Sequence, residues 1–386
     1  MPRAERIAVL GGGNGAQCMA ADLTLAGHDV VLCELPEFAD RLRPVLESGV
    51  IELSGAGRTG TARLAEVTLD VAAAAAGARL LNLVVPAFGQ RRFFEELIPH
   101  LREDHVVAVW AGNYGSLELR RLLAEHRPDL TVALAETNTL PYGTRLAAPG
   151  RVELPLLAPR VVAAGLPAEE ADPALALLSA LWDCVEPGSD VLSVALSNPN
   201  PIIHPPGSLL NVGSIQQSDG GFHMYREGIT EGVARAIRAL YDEVAAVAVA
   251  LGTSVLEYDE RDFHTKVSIM GVAFQAPFDT IGAIGDIAGP ASIEDRYITE
   301  DLPYGLVPVA QFGDRLGVET PLIDAIVTLG SSVCGRNFWS EGRGLDRLGL
   351  ADVPPDEILA RVLHARLPAI RLRDRGARAP ARASER

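Results

Sequence analysis

The stretch that most narrows the possible folds is Gly11-Gly12-Gly13-Asn14-Gly15-Ala16, which follows a short apolar run, Ile7-Ala8-Val9-Leu10. A helical pattern continues to about Ala26, and Gly27-His28-Asp29 turns the chain into a second strand, Val30-Val31-Leu32-Cys33-Glu34. A lone glycine cluster says little in a chain with 37 glycines. Its setting between strand, helix and strand makes it the GxGxxA form of a dinucleotide-binding fingerprint. Gly11 allows the tight turn, Gly13 lets a pyrophosphate reach the backbone, and Ala16 keeps helix and sheet close. Asn14 and Gly15 open the helix, whose free amides and dipole favour anions. Glu34 ends the second strand, where an acid bonds ribose hydroxyls and repels a 2′-phosphate. The expected cofactor is NAD, with NADP kept open by Arg41 and Arg43 downstream.

Three further apolar strands follow, Ala78–Val85, His105–Trp110 and Thr131–Glu136, separated by helical patterns over Phe93–Leu101 and Leu117–Glu125. Near-continuous apolar strands between helices imply a parallel sheet covered on both faces. Ligands bind such sheets at the carboxyl ends of the strands, so Pro86, Asn113 and Glu136 are expected to border the cofactor crevice. Short strand-like pieces reach about Val162, a helix is expected around Pro173–Leu181, and strand signals fade after about Asp190.

Beyond that point the chain reads as helical. Apolar residues at Ile229, Val233, Ile237, Leu240, Val244, Val247 and Leu251 recur in steps of three and four, the mark of a long amphipathic helix. Thr320-Pro321 reads as the capped start of another. The expected architecture is α/β: a Rossmann-type parallel-sheet domain over residues 1–190, then a mostly α-helical domain over 191–372. Gly282–Pro290 reads as a flexible segment, and the Arg-, Ala- and Pro-rich tail 373–386 as disordered.

Composition excludes several classes. A net charge of −16 argues against a nucleic-acid-binding surface. Cys18, Cys33, Cys184 and Cys334 are scattered without metal-ligand spacing, which suits a reduced cytoplasm rather than a disulfide framework or a metal site. An apolar strand pattern begins within a few residues of Met1, which leaves no signal peptide, and no apolar run is long enough for a membrane span. Small molecules are the expected partners, with no nucleic acid and no membrane, and a homodimer is left open.

Two polar stretches interrupt the helical half. Asp295-Arg296-Tyr297-Ile298-Thr299-Glu300-Asp301 packs a cation, a phenol and three acids between apolar segments. The step from Arg296 to Asp301 suits a turn that aims both side chains into one cleft. An Arg there can hold a carboxylate through two parallel hydrogen bonds, and an Asp can orient a histidine acid/base. The candidate histidine is His204, in Ser197-Asn198-Pro199-Asn200-Pro201-Ile202-Ile203-His204-Pro205. Taken alone, each stretch reads as a surface loop.

The glycine loop, Ala135-Glu136-Thr137-Asn138-Thr139-Leu140-Pro141-Tyr142, Asn200 through His204 to Asn211, and Asp295-Arg296-Tyr297 through Pro303 together resemble the octopine/nopaline (opine) dehydrogenase family. That resemblance implies NADH- or NADPH-dependent reductive condensation of an amino acid or amine with a 2-oxo acid such as pyruvate. It makes His204 the acid/base, Asp301 its partner, Arg296 the grip on the 2-oxo acid, and Tyr142 and Asn200 substrate contacts. A neighbouring carboxylate is expected to raise the pKa of His204. One departure is Ala111-Gly112-Asn113-Tyr114, where the family pattern leads us to expect a Pro-Gly pair. Two alternatives stay open. One is another two-domain dehydrogenase, acting on glycerol 3-phosphate, a 3-hydroxy acid or ketopantoate. It would need a catalytic lysine, and Lys266 is the only lysine in the chain. The other is a catalytically silent NAD-binding protein.

Overall fold

The structure, a computed structural model, describes residues 5–257 and 289–364. Lys266, His264, residues 282–288 of the glycine-rich segment and the tail 373–386 lie outside the described residues. The larger sheet has the order β12 (Val185–Pro187), β11 (Val161–Leu166), β8 (Ala133–Thr137), β7 (Val106–Val109), β6 (Leu80–Leu83), β1 (Arg6–Leu10), β2 (Asp29–Cys33), β5 (Glu66–Thr68). Ile7 of β1 pairs with Val30 on one side and with Leu80 on the other, both in parallel. Ile7, Ala8, Val9 and Leu10 are fully buried, which is why these strands read as continuous apolar runs rather than alternating ones. The chain runs from β1 outward to β2 and later returns to β6 on the other flank. The crevice beyond the ends of β1 and β6 is therefore a topological switch point, where ligands of such sheets bind.

Three features depart from the sequence-based expectation. β11 runs antiparallel to β8, so the parallel order stops at β8. A second sheet of order β4 (Gly60–Arg63), β3 (Val50–Gly55), β10 (Arg151–Leu157), β9 (Tyr142–Ala148) lies against the glycine-loop helix Asn14–Leu25. The helix expected over Phe93–Leu101 begins earlier, at Ala87, and ends at Leu97, where Pro99 enforces a single tighter turn.

Helices follow from Val191. The long one spans Glu231–Leu251, and it buries Val233, Ile237, Leu240, Val244, Val247 and Leu251 as the periodicity requires. Ile229 lies just before its first turn. Gly252, at φ 79°, ends it in the left-handed conformation that glycine adopts without strain. Its buried face packs on the helix Asn200–Leu209 and on Val307–Leu316 and Pro321–Cys334.

A charged knot joins the helical half to the larger sheet. Arg343 is fully buried, and all five of its N–H donors find acceptors. Nε bonds Glu118 Oε2 at 2.8 Å, one terminal nitrogen bonds the carbonyls of Gly112 and Asn113, and the other bonds the Ala87 carbonyl and Gln90 Oε1. Arg347 reaches Glu118 Oε1 at 2.8 Å. Burial pushes the Glu118 carboxyl up, but Arg343 and Arg347 outweigh it and hold the group below the usual glutamate range. Glu118→Gln leaves three guanidinium groups, those of Arg91, Arg343 and Arg347, facing a neutral amide, and denaturant unfolding should show a loss of about 3–5 kcal/mol. A depressed carboxyl stabilises the fold above its unfolded pKa and loses that contribution as pH falls through its folded value. The variant should therefore lose less stability than the wild type on acidification.

Candidate active site

A cavity of about 380 Å³ opens at the switch point. Gly13, Asn14, Gly15, Val84, Pro86 and Trp110 line the sheet side. Asn200, His204, Tyr225, Arg296, Tyr297 and Glu300 line the helical side.

The sheet side fits a dinucleotide. Gly11 has φ 124°, and a Cβ there would stand 2.5 Å from the Val84 carbonyl oxygen, so only glycine makes this turn. A Cβ on Gly13 would meet nothing within 4 Å, which leaves the backbone open to a ligand. No side chain caps the helix Asn14–Leu25, so its first amides are free to bind an anion. Ala16 is fully buried against the sheet. Glu34 lies beyond β2 with Oε1 accepting from Leu35 N, and burial raises its carboxyl. Arg41 lines the cavity, whereas Arg43 is exposed and pairs with Asp40.

On the helical side, His204 sits in a helix that contains Pro201, Pro205 and Pro206 and is buried from Pro201 to Leu209. Its Nδ1 lies 2.7 Å from Asp301 Oδ2 and its Nε2 lies 2.8 Å from Tyr225 Oη. The imidazole stacks on the Tyr297 ring, with centroids 3.8 Å apart and planes 3° from parallel. The Arg296 guanidinium lies 5.5 Å from the centre of the same ring. Arg296 lines the cavity and pairs with Glu300 at 3.5 Å, and Glu300 Oε1 accepts from Ala87 N at 2.8 Å. Arg296 starts a short helix, Arg296–Thr299, and Asp301 starts a wider π-type turn to Leu306. The expected turn is thus helical, and only Arg296 faces the cleft; Asp301 stands behind His204.

The expected pKa direction for His204 is corrected. Burial pushes the imidazole well below its ordinary value, and the Arg296 guanidinium pushes the same way, while Asp295 and Glu300 pull upward. Burial pushes the Asp301 carboxyl up to about 8, against the lowering effect of Arg296. Asp301 Oδ1 has no hydrogen-bond partner among the described residues. Burial thus favours the neutral form of both groups, and as a coupled pair they titrate as a unit.

Tyr142 borders the cavity, and its hydroxyl donates to Asp22 Oδ2 at 2.8 Å and accepts from Trp182 Nε1 at 2.6 Å, which ties β9 to the glycine-loop helix. Two other expectations are corrected. Asn113 is buried, has φ 49°, and accepts from Asn198 Nδ2 at 2.7 Å rather than facing the cavity. Glu136 is fully buried, and its carboxylate accepts from Tyr114 N, Ser116 N and Ser116 Oγ. It braces the loop after Trp110, where Ala111, Asn113 and Tyr114 are all left-handed. Pro86 and Asn200 do line the cavity. Tyr225 gave no signal in the sequence, as a single tyrosine outside any spacing pattern. Tyr297 and Glu300 sat inside the recognised stretch without an assigned part.

A glycine cradle for a dinucleotide facing a buried histidine–carboxylate pair and an arginine defines a nicotinamide-dependent dehydrogenase. Residues 187–334 match the model of the NAD/NADP octopine/nopaline dehydrogenase alpha-helical domain. The opine dehydrogenase of Arthrobacter sp. (strain 1C) is 32% identical over 356 residues, covering 91% of this chain and 97% of that protein. An octopine dehydrogenase structure with NADH and L-arginine superposes with a TM-score of 0.69 at 19% identity, covering 92% of this chain and 98% of that one. A yersinopine dehydrogenase with NADP+ gives 0.64 at 17% identity, covering 93% and 98%. The chain belongs to the octopine/nopaline (opine) dehydrogenase family. It is an NAD(P)-dependent dehydrogenase acting on CH–NH donors, whose reaction condenses an amino acid or amine with a 2-oxo acid reductively. The alternatives left open by the sequence are thereby set aside.

The pair's titration has a direction. Reduction consumes a proton; if the His204–Asp301 pair supplies it, the turnover rate for NADH oxidation should fall as pH rises through about 8, where the Asp301 carboxyl ionises. Asp301→Asn leaves the proton to an imidazole held below its ordinary range, so the falling limb should move to the acid side. A rate profile across pH checks it, and an unmoved limb would detach Asp301 from the proton step.

Proposed function

We propose that Arg296 grips the carboxylate of a 2-oxo acid such as pyruvate while His204, oriented by Asp301, moves protons at the reacting carbonyl. The observation that carries this reading is that a buried His204–Asp301 pair and Arg296 share one cavity with the glycine loop. Condensation of the amine with the keto carbon releases water, and reduction of the resulting imine consumes one hydride and one proton. The nicotinamide, when bound, supplies the hydride. The residues supply everything else. Arg296 presents a planar pair of donors to the carboxylate, and Glu300 holds the guanidinium in place. His204 Nε2 is the atom that exchanges a proton with the substrate. Tyr225 Oη, hydrogen-bonded to it and lining the cavity, relays that proton. Burial keeps the Tyr225 phenol far above its ordinary pKa, so it passes a proton without ionising. Asn200 offers an amide to the substrate from the first turn of the His204 helix. Pro86 bounds the nicotinamide side.

We further assign residues 1–190 to cofactor binding and 191–372 to catalysis, in a cytoplasmic enzyme whose pairing into a homodimer stays open. The four cysteines are free, as a reducing compartment requires. Among the described residues no helix is long and apolar enough to cross a membrane.

Arg296→Lys keeps the charge but loses the two-point grip. The KM for the 2-oxo acid should rise by the equivalent of about 1–3 kcal/mol, with far less change in the KM for NADH. Steady-state kinetics with each substrate varied separates the two, and unaltered 2-oxo acid kinetics would remove Arg296 from the site. NADH should bind more tightly than NADPH, because Glu34 stands where the 2′-phosphate would come. Fluorescence titration of both cofactors decides it, and tighter NADPH binding would show that Arg41 outweighs the acid.

A further inference from the structure

The product of such a condensation carries two carboxylates, one from each substrate, and Arg296 accounts for only one. The cavity lining contains a further cation, contributed by the second sheet. Arg145, in the middle of β9, is half-buried and borders the cavity together with Leu140, Gly143, Thr144 and Leu156. One of its terminal nitrogens donates to the Thr144 carbonyl at 3.0 Å, and no carboxylate among the described residues pairs with it. Its field reaches the reacting groups, since Arg145 and Arg296 both act on His204 and on Tyr225. Arg41 belongs to the other end, where it acts on Glu34. The carboxylate that lines the cavity, Glu300, is engaged by Ala87 N and Arg296.

We propose that Arg145 binds the α-carboxylate of the amino donor, so that the enzyme takes α-amino acids with neutral side chains in preference to simple amines or basic amino acids. This rests on the opine dehydrogenase reading and names its second substrate class. Two guanidinium groups face the two carboxylates of the secondary-amine product, and each can bind one bidentately. Among the described residues a basic side chain finds no unengaged acid in the lining, whereas Leu140 and Leu156 offer apolar wall to a neutral one.

The test uses the full chain with NAD+ and two ligands, iminodiacetate (a secondary amine with two carboxylates) and N-methylglycine (with one), compared by calorimetry. Wild type should bind iminodiacetate more tightly by roughly tenfold to a hundredfold, the effect of one charged bidentate contact. Arg145→Gln should abolish that difference and Arg145→Lys should keep part of it. In turnover with pyruvate, Arg145→Gln should raise the KM for L-leucine by a similar factor, against a change of less than about threefold for pyruvate. Equal binding of the two ligands by wild type, or an unchanged preference in Arg145→Gln, overturns the assignment even if NADH is oxidised. Failure of wild type to oxidise NADH with pyruvate and any amino donor sinks the wider reading instead, and the calorimetric difference still judges Arg145.

Discussion

Two loops of the larger sheet are held against the helical half beside the site, and the buried Arg343 bonds both of them. Its guanidinium bonds the carbonyl of Ala87, at the start of the helix after β6, and those of Gly112 and Asn113, in the loop after β7. Both segments bound the cavity from the sheet side. A cation with no exposure is tolerable only if its charge and all its donors are matched, and Glu118 with four neutral acceptors does this. The loop after β7 needs such bracing. Left-handed backbone at Ala111, Asn113 and Tyr114 costs of the order of 1–2 kcal/mol per residue. Glu136 binds the amides of that loop from beneath while Arg343 binds its carbonyls from the helical side. Strain kept in place from both sides at a cofactor crevice is what a preorganised site requires.

On the facing wall, order comes from stacking rather than from charge alone. The His204 ring stacks on the Tyr297 ring, the Arg296 guanidinium lies against that same tyrosine, and His204 is fixed by Asp301 at one nitrogen and Tyr225 at the other. An imidazole held at both nitrogens and across one face has little freedom to rotate, so its proton-exchanging atom keeps its position. Removing the pair from water has a second effect. It disfavours both ions, so the neutral forms of His204 and Asp301 gain.

What the sequence disclosed follows from how local each signal is. Strand, glycine turn and helix lie within thirty residues, and burial on both faces leaves an unbroken apolar run, so β1, β2, β6, β7 and β8 were legible. The second sheet was not, because β3, β4, β9 and β10 mix Arg, Glu, Thr and Gly with isolated apolar residues, and β3 finds β10 across a long separation. Glu136 and Asn113 were placed at the correct strand ends but given the wrong task, because position along a strand does not reveal which neighbour a carboxylate or amide meets. His204, Asp301 and Arg296 were found through motif resemblance, and their meeting at 2.7 Å across 97 positions could not have come from spacing. Arg343 has no local signature at all. It follows a glycine and precedes one, and its partners lie more than two hundred residues away.

The sign of the whole chain misleads about the sign of its ligands. A protein of net charge −16 repels anions at long range, yet a dinucleotide, a 2-oxo acid and an amino acid all bring negative groups. Screening resolves the conflict, because surface charges beyond about 8 Å contribute little at physiological ionic strength. Inside the cavity the balance is reversed: Arg41, Arg145 and Arg296 line it, with Glu300 as the opposing acid and the uncapped helix start beneath Gly13 adding to the positive end. Low-dielectric walls such as Val84, Leu140 and Leu156 strengthen each of those charges over short distances. All three cations are arginines, which stay charged when partly dehydrated and present fixed pairs of donors. The anionic shell of the protein therefore leaves binding at the site to short-range, directional contacts, the kind that can tell one carboxylate position from another.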